Sequence, residues 1–210
     1  MTDVKGKENM IELKVILLGE MGVGKTNIIL RYTQDKFDEN TLTSIGSSYT
    51  NKVVKRNDKI FLLNIWDTAG QELFRSVTKL SLQNAQIVIL VYSIIDEKSF
   101  KELDYWLHTA IEHTSENIIV AVVGNKKDLY LQEVVKDKDA RNYAKKRNAI
   151  FSLISAKSDK LSIDGLFNDI LDNYIQKNYE KKPTVPGTIK MTPSFKEKKN
   201  GEVGKKKNCC

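Results

Sequence analysis

Short apolar runs alternate with stretches of helical spacing along the first 176 residues of the chain. Strands are predicted over 13–18, 52–55, 60–66, 87–92, 118–123 and 150–154, and three of these runs are nearly continuous in apolar residues. Absence of alternation is the pattern of strands covered on both faces. Between them Phe100, Leu103, Trp106, Leu107, Ala110 and Ile111 recur at helical spacing, and Leu166, Phe167, Ile170, Leu171, Tyr174 and Ile175 form a second stripe. Lys55-Arg56-Asn57-Asp58-Lys59, between two strand runs, reads as a hairpin turn. Together these elements predict a doubly wound α/β fold: a mostly parallel six-stranded sheet with helices on both faces and one antiparallel edge. Ligands of such sheets lie beyond the carboxyl ends of the strands. Four chemically distinctive segments fall directly after four of the predicted strands.

The first is Gly19-Glu20-Met21-Gly22-Val23-Gly24-Lys25-Thr26, a match to G-x-x-x-x-G-K-[ST] placed after a strand and before a helix. Backbone amides of Gly22, Val23 and Gly24 at a helix N-terminus cradle phosphates. Lys25 is placed to bridge β- and γ-phosphates, and the Thr26 hydroxyl to bind Mg²⁺. This loop alone does not separate ATP from GTP. The second segment is Asp67-Thr68-Ala69-Gly70-Gln71. An aspartate at a strand end beside the phosphate loop holds Mg²⁺ through water, Gly70 allows backbone approach to a γ-phosphate, and Gln71 orients an attacking water. Taken alone, it also fits an ordinary strand-to-turn junction.

The third segment, Gly124-Asn125-Lys126-Lys127-Asp128, selects the base. The Asp128 carboxylate accepts from guanine N1–H and the 2-amino group, a pattern adenine lacks, so adenine leaves a buried charge unpaired. Asn125 is matched to N7, and the Lys126 stem to the face of the ring. In the fourth, Ser155-Ala156-Lys157 offers a backbone amide to the guanine O6. Each loop is weak evidence alone; together and in order they point to guanine.

Charge divides the chain into parts. Of 34 basic and 27 acidic residues, the segment from Lys177 to Cys210 contains ten lysines and three glutamates, which is the whole net charge of +7. All three prolines and both cysteines also lie there. Such a segment buries too little apolar surface to offset its ordering entropy, so residues 177–210 are expected to be disordered, as is a short N-terminal stretch, 1–9. The boundaries leave 10–176 as the folded domain. With no arginine and two aromatics, the tail suits stacking on nucleic acid poorly. Lys205-Lys206-Lys207 before Cys209 and Cys210 instead combines a polybasic patch with two terminal thiols, the pairing of signals that anchors a lipidated chain on an anionic membrane. A solubilising tail with incidental cysteines is the plain alternative. A disulfide between adjacent cysteines is strained, and zinc lacks ligands nearby. No apolar run approaches the roughly 20 residues of a transmembrane helix. The charged N-terminus lacks a secretory signal and has no glycine at position 2 for myristoylation, so a secreted or membrane-spanning protein is not expected.

With these motifs the chain resembles the Ras-superfamily small GTPases, most closely the Rab branch, over about residues 10–177. Rab-like features are Phe74-Arg75-Ser76-Val77-Thr78, Val91-Tyr92-Ser93-Ile94 with Ser99-Phe100, Trp106-Leu107 and the Cys-Cys end. The resemblance implies a monomeric GTP phosphohydrolase that cycles between GTP and GDP with Mg²⁺ and hydrolyses slowly unless an activating protein assists. It also implies that Phe37 packs on the guanine, that residues 41–46 form switch I with Ser44 closing over Mg²⁺, and that residues 67–78 form switch II. Geranylgeranyl groups on Cys209 and Cys210 follow by the same likeness. So do an exchange factor, effectors, an escort protein and a dissociation inhibitor, a place on the cytosolic face of an endomembrane, and a role in vesicular traffic.

Three positions depart from the family. Met21 replaces a glycine or a small or polar residue, where a flexible side chain crowds Gln71 or an incoming arginine finger. Ser44 keeps threonine's hydroxyl but not its methyl. The effector patch reads Gly46-Ser47-Ser48-Tyr49 with Ser81-Leu82 after switch II, while Trp66 remains. Met21 motivates a second reading, a GTP-binding module with little hydrolysis. A third, an ATP-dependent phosphotransferase, lacks an evident acceptor lid and conflicts with Asp128.

Overall fold

The computed structural model describes residues 10–39, 48–68, 80–114 and 117–179. Six strands form one sheet: β1 (Met10–Leu18), β2 (Ser48–Arg56), β3 (Lys59–Asp67), β4 (Ile87–Ser93), β5 (Ile119–Asn125) and β6 (Ile150–Leu153). Their order is β2-β3-β1-β4-β5-β6. Every neighbouring pair is parallel except β2 and β3. The expected doubly wound sheet with one antiparallel edge is therefore present.

Burial explains which strands the apolar pattern revealed in full. β4 is buried at all seven positions, the condition of a central strand covered on both faces. β2, at the edge, alternates exposed and half-buried residues. It is nine residues long, against the four of the predicted 52–55. Ladder pairing from Ser48 opposite Asp67 to Arg56 opposite Lys59 holds its polar residues in the sheet.

Successive side chains of a strand point to opposite faces, and each face has its own core. Leu13, Val15 and Leu17 of β1 join Ile89 and Val123 in one core, with α1 (Lys25–Gln34) and the long helix α5 (Lys160–Asn178). Ile16 and Leu18 face the other core with Val88, Leu90 and Tyr92. That core is covered by α3 (Leu103–His113) and α4 (Asp137–Lys146) through Leu103, Trp106, Ala140 and Ala144. On the first face, Tyr32 of α1 stacks on Phe167 of α5 with ring centroids 3.6 Å apart.

The helical run after β4 is two helices rather than one. A short α2 (Glu97–Lys101), capped by Asp96 accepting from the Ser99 amide at 3.2 Å, ends at Glu102 before α3 begins. Ile111 fits the helical spacing but is 60% exposed. The β2–β3 turn places Asn57 and Asp58 at φ 46° and 58°, the two consecutive positive φ values of a tight hairpin turn. Arg56 ties the hairpin to α5 through Nε and Nη2 bonds of 2.7 and 2.5 Å to Asp172. Among the described residues no helix is long and apolar enough to cross a membrane. The N-terminal stretch 1–9 and residues 180–210, with Cys209 and Cys210, lie outside the described residues.

Candidate functional site

The phosphate loop leaves the carboxyl end of β1 and closes on the first turn of α1. Gly22 and Gly24 take φ of 76° and 96°, backbone that favours glycine. The Val23 side chain is fully buried in the core, which anchors the loop between them. Lys25 begins α1 and is only 6% exposed. Its ammonium donates to the carbonyls of Gly19 at 2.7 Å and Glu20 at 2.9 Å. Burial, partly offset by the carboxylates of Asp67 and Glu20, lowers its pKa to about 8. A cation held so dry gains strongly from phosphate oxygens arriving beside it.

Across the loop, the Thr26 hydroxyl donates to Asp67 Oδ2 at 2.6 Å. Asp67 ends β3 and is 2% exposed. Parallel pairing sets this contact, because Asp67 lies opposite Leu17 one residue before the end of β1. A hydroxyl and a carboxylate in one buried corner are hard oxygen donors that fit Mg²⁺. The hydroxyl of the following Thr68 donates to the Leu17 carbonyl at 2.6 Å, fastening the end of β3 to β1. Ser44, Gly70 and Gln71 lie outside the described residues. Met21 is within them and half exposed, at 52%.

The two loops expected to select the base follow β5 and β6. Asn125, 2% exposed, holds both together. Its Nδ2 donates to the Val23 carbonyl at 2.9 Å, and its Oδ1 accepts from the Ala156 amide at 3.1 Å. The residue assigned to the base is therefore also the rivet between phosphate loop and base loop. Asp128 Oδ1 accepts from Ser155 Oγ at 2.6 Å, and the same Ser155 oxygen accepts from the Ser158 amide at 3.1 Å. Lys126 sits at φ 68°, the left-handed residue that turns the chain from β5 into the 3-10 turn bearing Asp128. The Ala156 amide is engaged by Asn125, while the Lys157 amide meets no acceptor among the described residues. Phe37 is half-buried against the core near α1. The Lys157 ammonium pairs with Glu39 beyond it.

Two contacts were not legible in the motifs. Arg31, on α1, donates to the carbonyls of Ala156 and Lys157. The Trp106 indole donates to Glu20 Oε1 at 3.3 Å, joining α3 to the phosphate loop. Only the spacing of Arg31 from the glycine loop marks it in the sequence, and a basic residue in the last turn of a helix is ordinary. On the outer side of β2 and β3, Tyr49 and Trp66 lie with ring centroids 5.4 Å apart, and Tyr49 is 52% exposed. Leu82 is fully buried, so its side chain adds to the core and not to this aromatic surface.

A phosphate loop after β1, an acidic strand end on β3 and two polar loops after β5 and β6 define the α/β P-loop GTPase fold. The Ras family model matches residues 14–176. The chain is 41% identical to human Ras-related protein Rab-22A over 159 residues, covering 76% of this chain and 81% of that protein. It is 42% identical to human Ras-related protein Rab-31 over the same length and the same shares. Identity to Ras-related protein SEC4 of Candida albicans is 31% over 198 residues, 94% of this chain and 93% of that one. The chain belongs to the Ras superfamily and, within it, to the Rab family of small GTPases.

Proposed function

We propose that the protein is a GTP/GDP switch that hydrolyses GTP slowly and, while loaded with GTP, recruits effectors to the cytosolic face of an endomembrane in vesicular traffic. The observation that carries the reading is the convergence of Lys25, Thr26 and Asp67 with Asn125, Asp128 and Ser155 at one edge of the sheet.

Thr26 and Asp67 would hold Mg²⁺, with Ser44 joining them in the triphosphate state; the metal neutralises charge on the phosphate oxygens. Lys25 presents a desolvated positive charge to the β- and γ-phosphates, while the amides of Gly22, Val23 and Gly24 cradle them. Asp128, oriented by Ser155, accepts the guanine N1–H and 2-amino protons. The loop of Ser155, Ala156 and Lys157 offers the Lys157 amide to O6, Asn125 takes N7, and Lys126 and Phe37 flank the base. Gln71 orients the water in line with the γ-phosphate, and Gly70 gives its backbone to that phosphate. Order and release of residues 41–46 and 67–78 with the γ-phosphate then make the switch.

Cys209 and Cys210 carry the lipid in this reading, and the lysine tail of 177–210 adds attraction to anionic headgroups. The domain 10–176 acts as a monomer, with no nucleic acid as partner. An exchange factor, an activating protein, an escort protein and a dissociation inhibitor complete the cycle by analogy with the family. A second reading, GTP retained with little hydrolysis, is favoured by Met21, which projects half-exposed from the phosphate loop.

One turnover of bound GTP with Mg²⁺, followed in wild type and Gln71→Leu, tests these readings. A slow wild-type rate that falls in the variant supports the timed switch. No hydrolysis in either, with a gain in Met21→Gly, establishes the second reading. Failure of the wild type to load GTP in preference to ATP refutes both.

A further inference from the structure

We infer that Arg31 is a positioning residue for the nucleobase: its guanidinium clamps the 155–157 loop to the C-terminal turn of α1, and this clamp sets how long a guanine nucleotide stays bound. The inference rests on the guanine-binding reading above and adds a residue that none of the motifs contains.

Arg31 lies 125 residues from Ala156 in sequence, yet Nε donates to the Ala156 carbonyl at 2.9 Å and Nη2 to the Lys157 carbonyl at 3.0 Å. The remaining arm, Nη1, donates to the Asp35 carbonyl at 3.1 Å and to its carboxylate at 2.9 Å. Asp35 is the C-cap of α1, in the left-handed conformation, and its amide bonds back to the Arg31 carbonyl. One planar fork thus grips two successive loop carbonyls and the end of its own helix. The Arg31 side chain is 17% exposed; its bond to the Ala156 carbonyl is partly buried, while those to Lys157 and Asp35 lie at the surface. Lysine, a single point charge, cannot span the four acceptor atoms with this geometry.

The consequence for the base follows from peptide geometry. In a trans peptide the carbonyl oxygen and the next amide proton point opposite ways, and no described peptide is cis. Holding the Ala156 carbonyl on Arg31 therefore turns the Lys157 N–H away from α1. That amide meets no acceptor among the described residues. The Ala156 residue is fixed from both sides, with its amide on Asn125 Oδ1 and its carbonyl on Arg31. Beyond Asp35, the reciprocal bonds of Asn27 with Asp38, both 3.0 Å, hold the chain around Phe37 to the same helix. Arg31 thus joins the loop that meets the edge of the base to the segment that bears Phe37.

The test uses the full chain loaded with fluorescent methylanthraniloyl-GDP and chased with excess GDP. Wild type is first shown to hold it against ADP; failure there would overturn this inference together with the guanine reading. With wild-type binding established, Arg31→Ala is expected to speed release about tenfold to a hundredfold, the effect of losing a fork of charge-assisted hydrogen bonds. Arg31→Lys is expected to fall between the two. Hydrolysis of GTP already bound should change far less than release, because the clamp acts on the base loop and not on the γ-phosphate end. Release by Arg31→Ala within twofold of wild type, or a loss of hydrolysis as large as the gain in release, would overturn the clamp. Should Arg31→Ala fail to fold, Asp35→Gly keeps the left-handed cap and removes only the carboxylate anchor. Severalfold faster release from that variant supports the clamp, and unchanged release refutes it.

Discussion

Replacing Gly24 by alanine would set a methyl carbon 2.4 Å from Asn125 Nδ2. The methyl also sits on a residue with φ of 96°, and a non-glycine residue in left-handed backbone costs roughly 1–2 kcal/mol. The Asn125 amide is the only atom that can give way, but it is buried and bonded at both ends. Swinging it out breaks the bond to the Val23 carbonyl, and stranding buried polar groups costs about 1–3 kcal/mol. Together, Gly24→Ala should lower stability by about 2–5 kcal/mol. Gly22→Ala is the internal control, since its φ is 76° but no atom lies within 4 Å of its added carbon. It should lose only the backbone share, about 1–2 kcal/mol. Urea unfolding of the nucleotide-free variants measures the gap, provided their m-values agree. Added to Asn125→Ala, Gly24→Ala should cost no more than Gly22→Ala does, since the clash partner is gone. Equal losses for the two glycine variants in the wild-type background would refute Asn125 as the rivet between the loops.

Two further outcomes follow from the site. Ser155→Ala removes the hydroxyl that orients Asp128 and accepts the Ser158 amide; GDP affinity should fall by roughly five- to thirtyfold. Because the proposed role of Asp128 is to accept from the guanine 2-amino group, competition binding should also show a narrower preference for GDP over IDP, and an unchanged preference would count against the assignment. Lys25 titrates near 8 in the folded chain, below its ordinary value of 10.5. The unfolded chain therefore binds more protons between those values, and stability of the nucleotide-free protein should rise with pH across that window. From pH 7 to 9 the gain from this group is about 1 kcal/mol. Denaturant midpoints in the presence and absence of nucleotide check it, since bound phosphates restore the charged form and erase the gain.

Legibility tracked burial and chain distance. Ile87–Ser93 was plain because a central strand must be apolar throughout. The apolar pattern marks only 52–55 of the edge strand Ser48–Arg56 because outward residues beyond it, such as Ser48 and Asn51, carry no apolar signal. The break at Glu102 was hidden because Phe100 and Leu103 keep helical spacing across it. Ile111 followed the stripe yet faces solvent.

The sequence by itself determined the chemistry of the site, since phosphate loop, acidic strand end and base loops are contiguous motifs whose residue types their ligands dictate. The alternation of elements also determined that these motifs share one edge of the sheet, because parallel strands bring all their carboxyl ends to the same side. Only the tertiary structure decided how the motifs lock together. Asn125 spans Val23 and Ala156, 102 and 31 residues away, and Arg31 reaches across 125 residues to the base loop. Such contacts run through backbone carbonyls and amides, which every residue carries, so no pattern of side chains announces them. They exist because the parallel pairing of β1, β4, β5 and β6 and the packing of α1 on α5 bring those groups within hydrogen-bond reach.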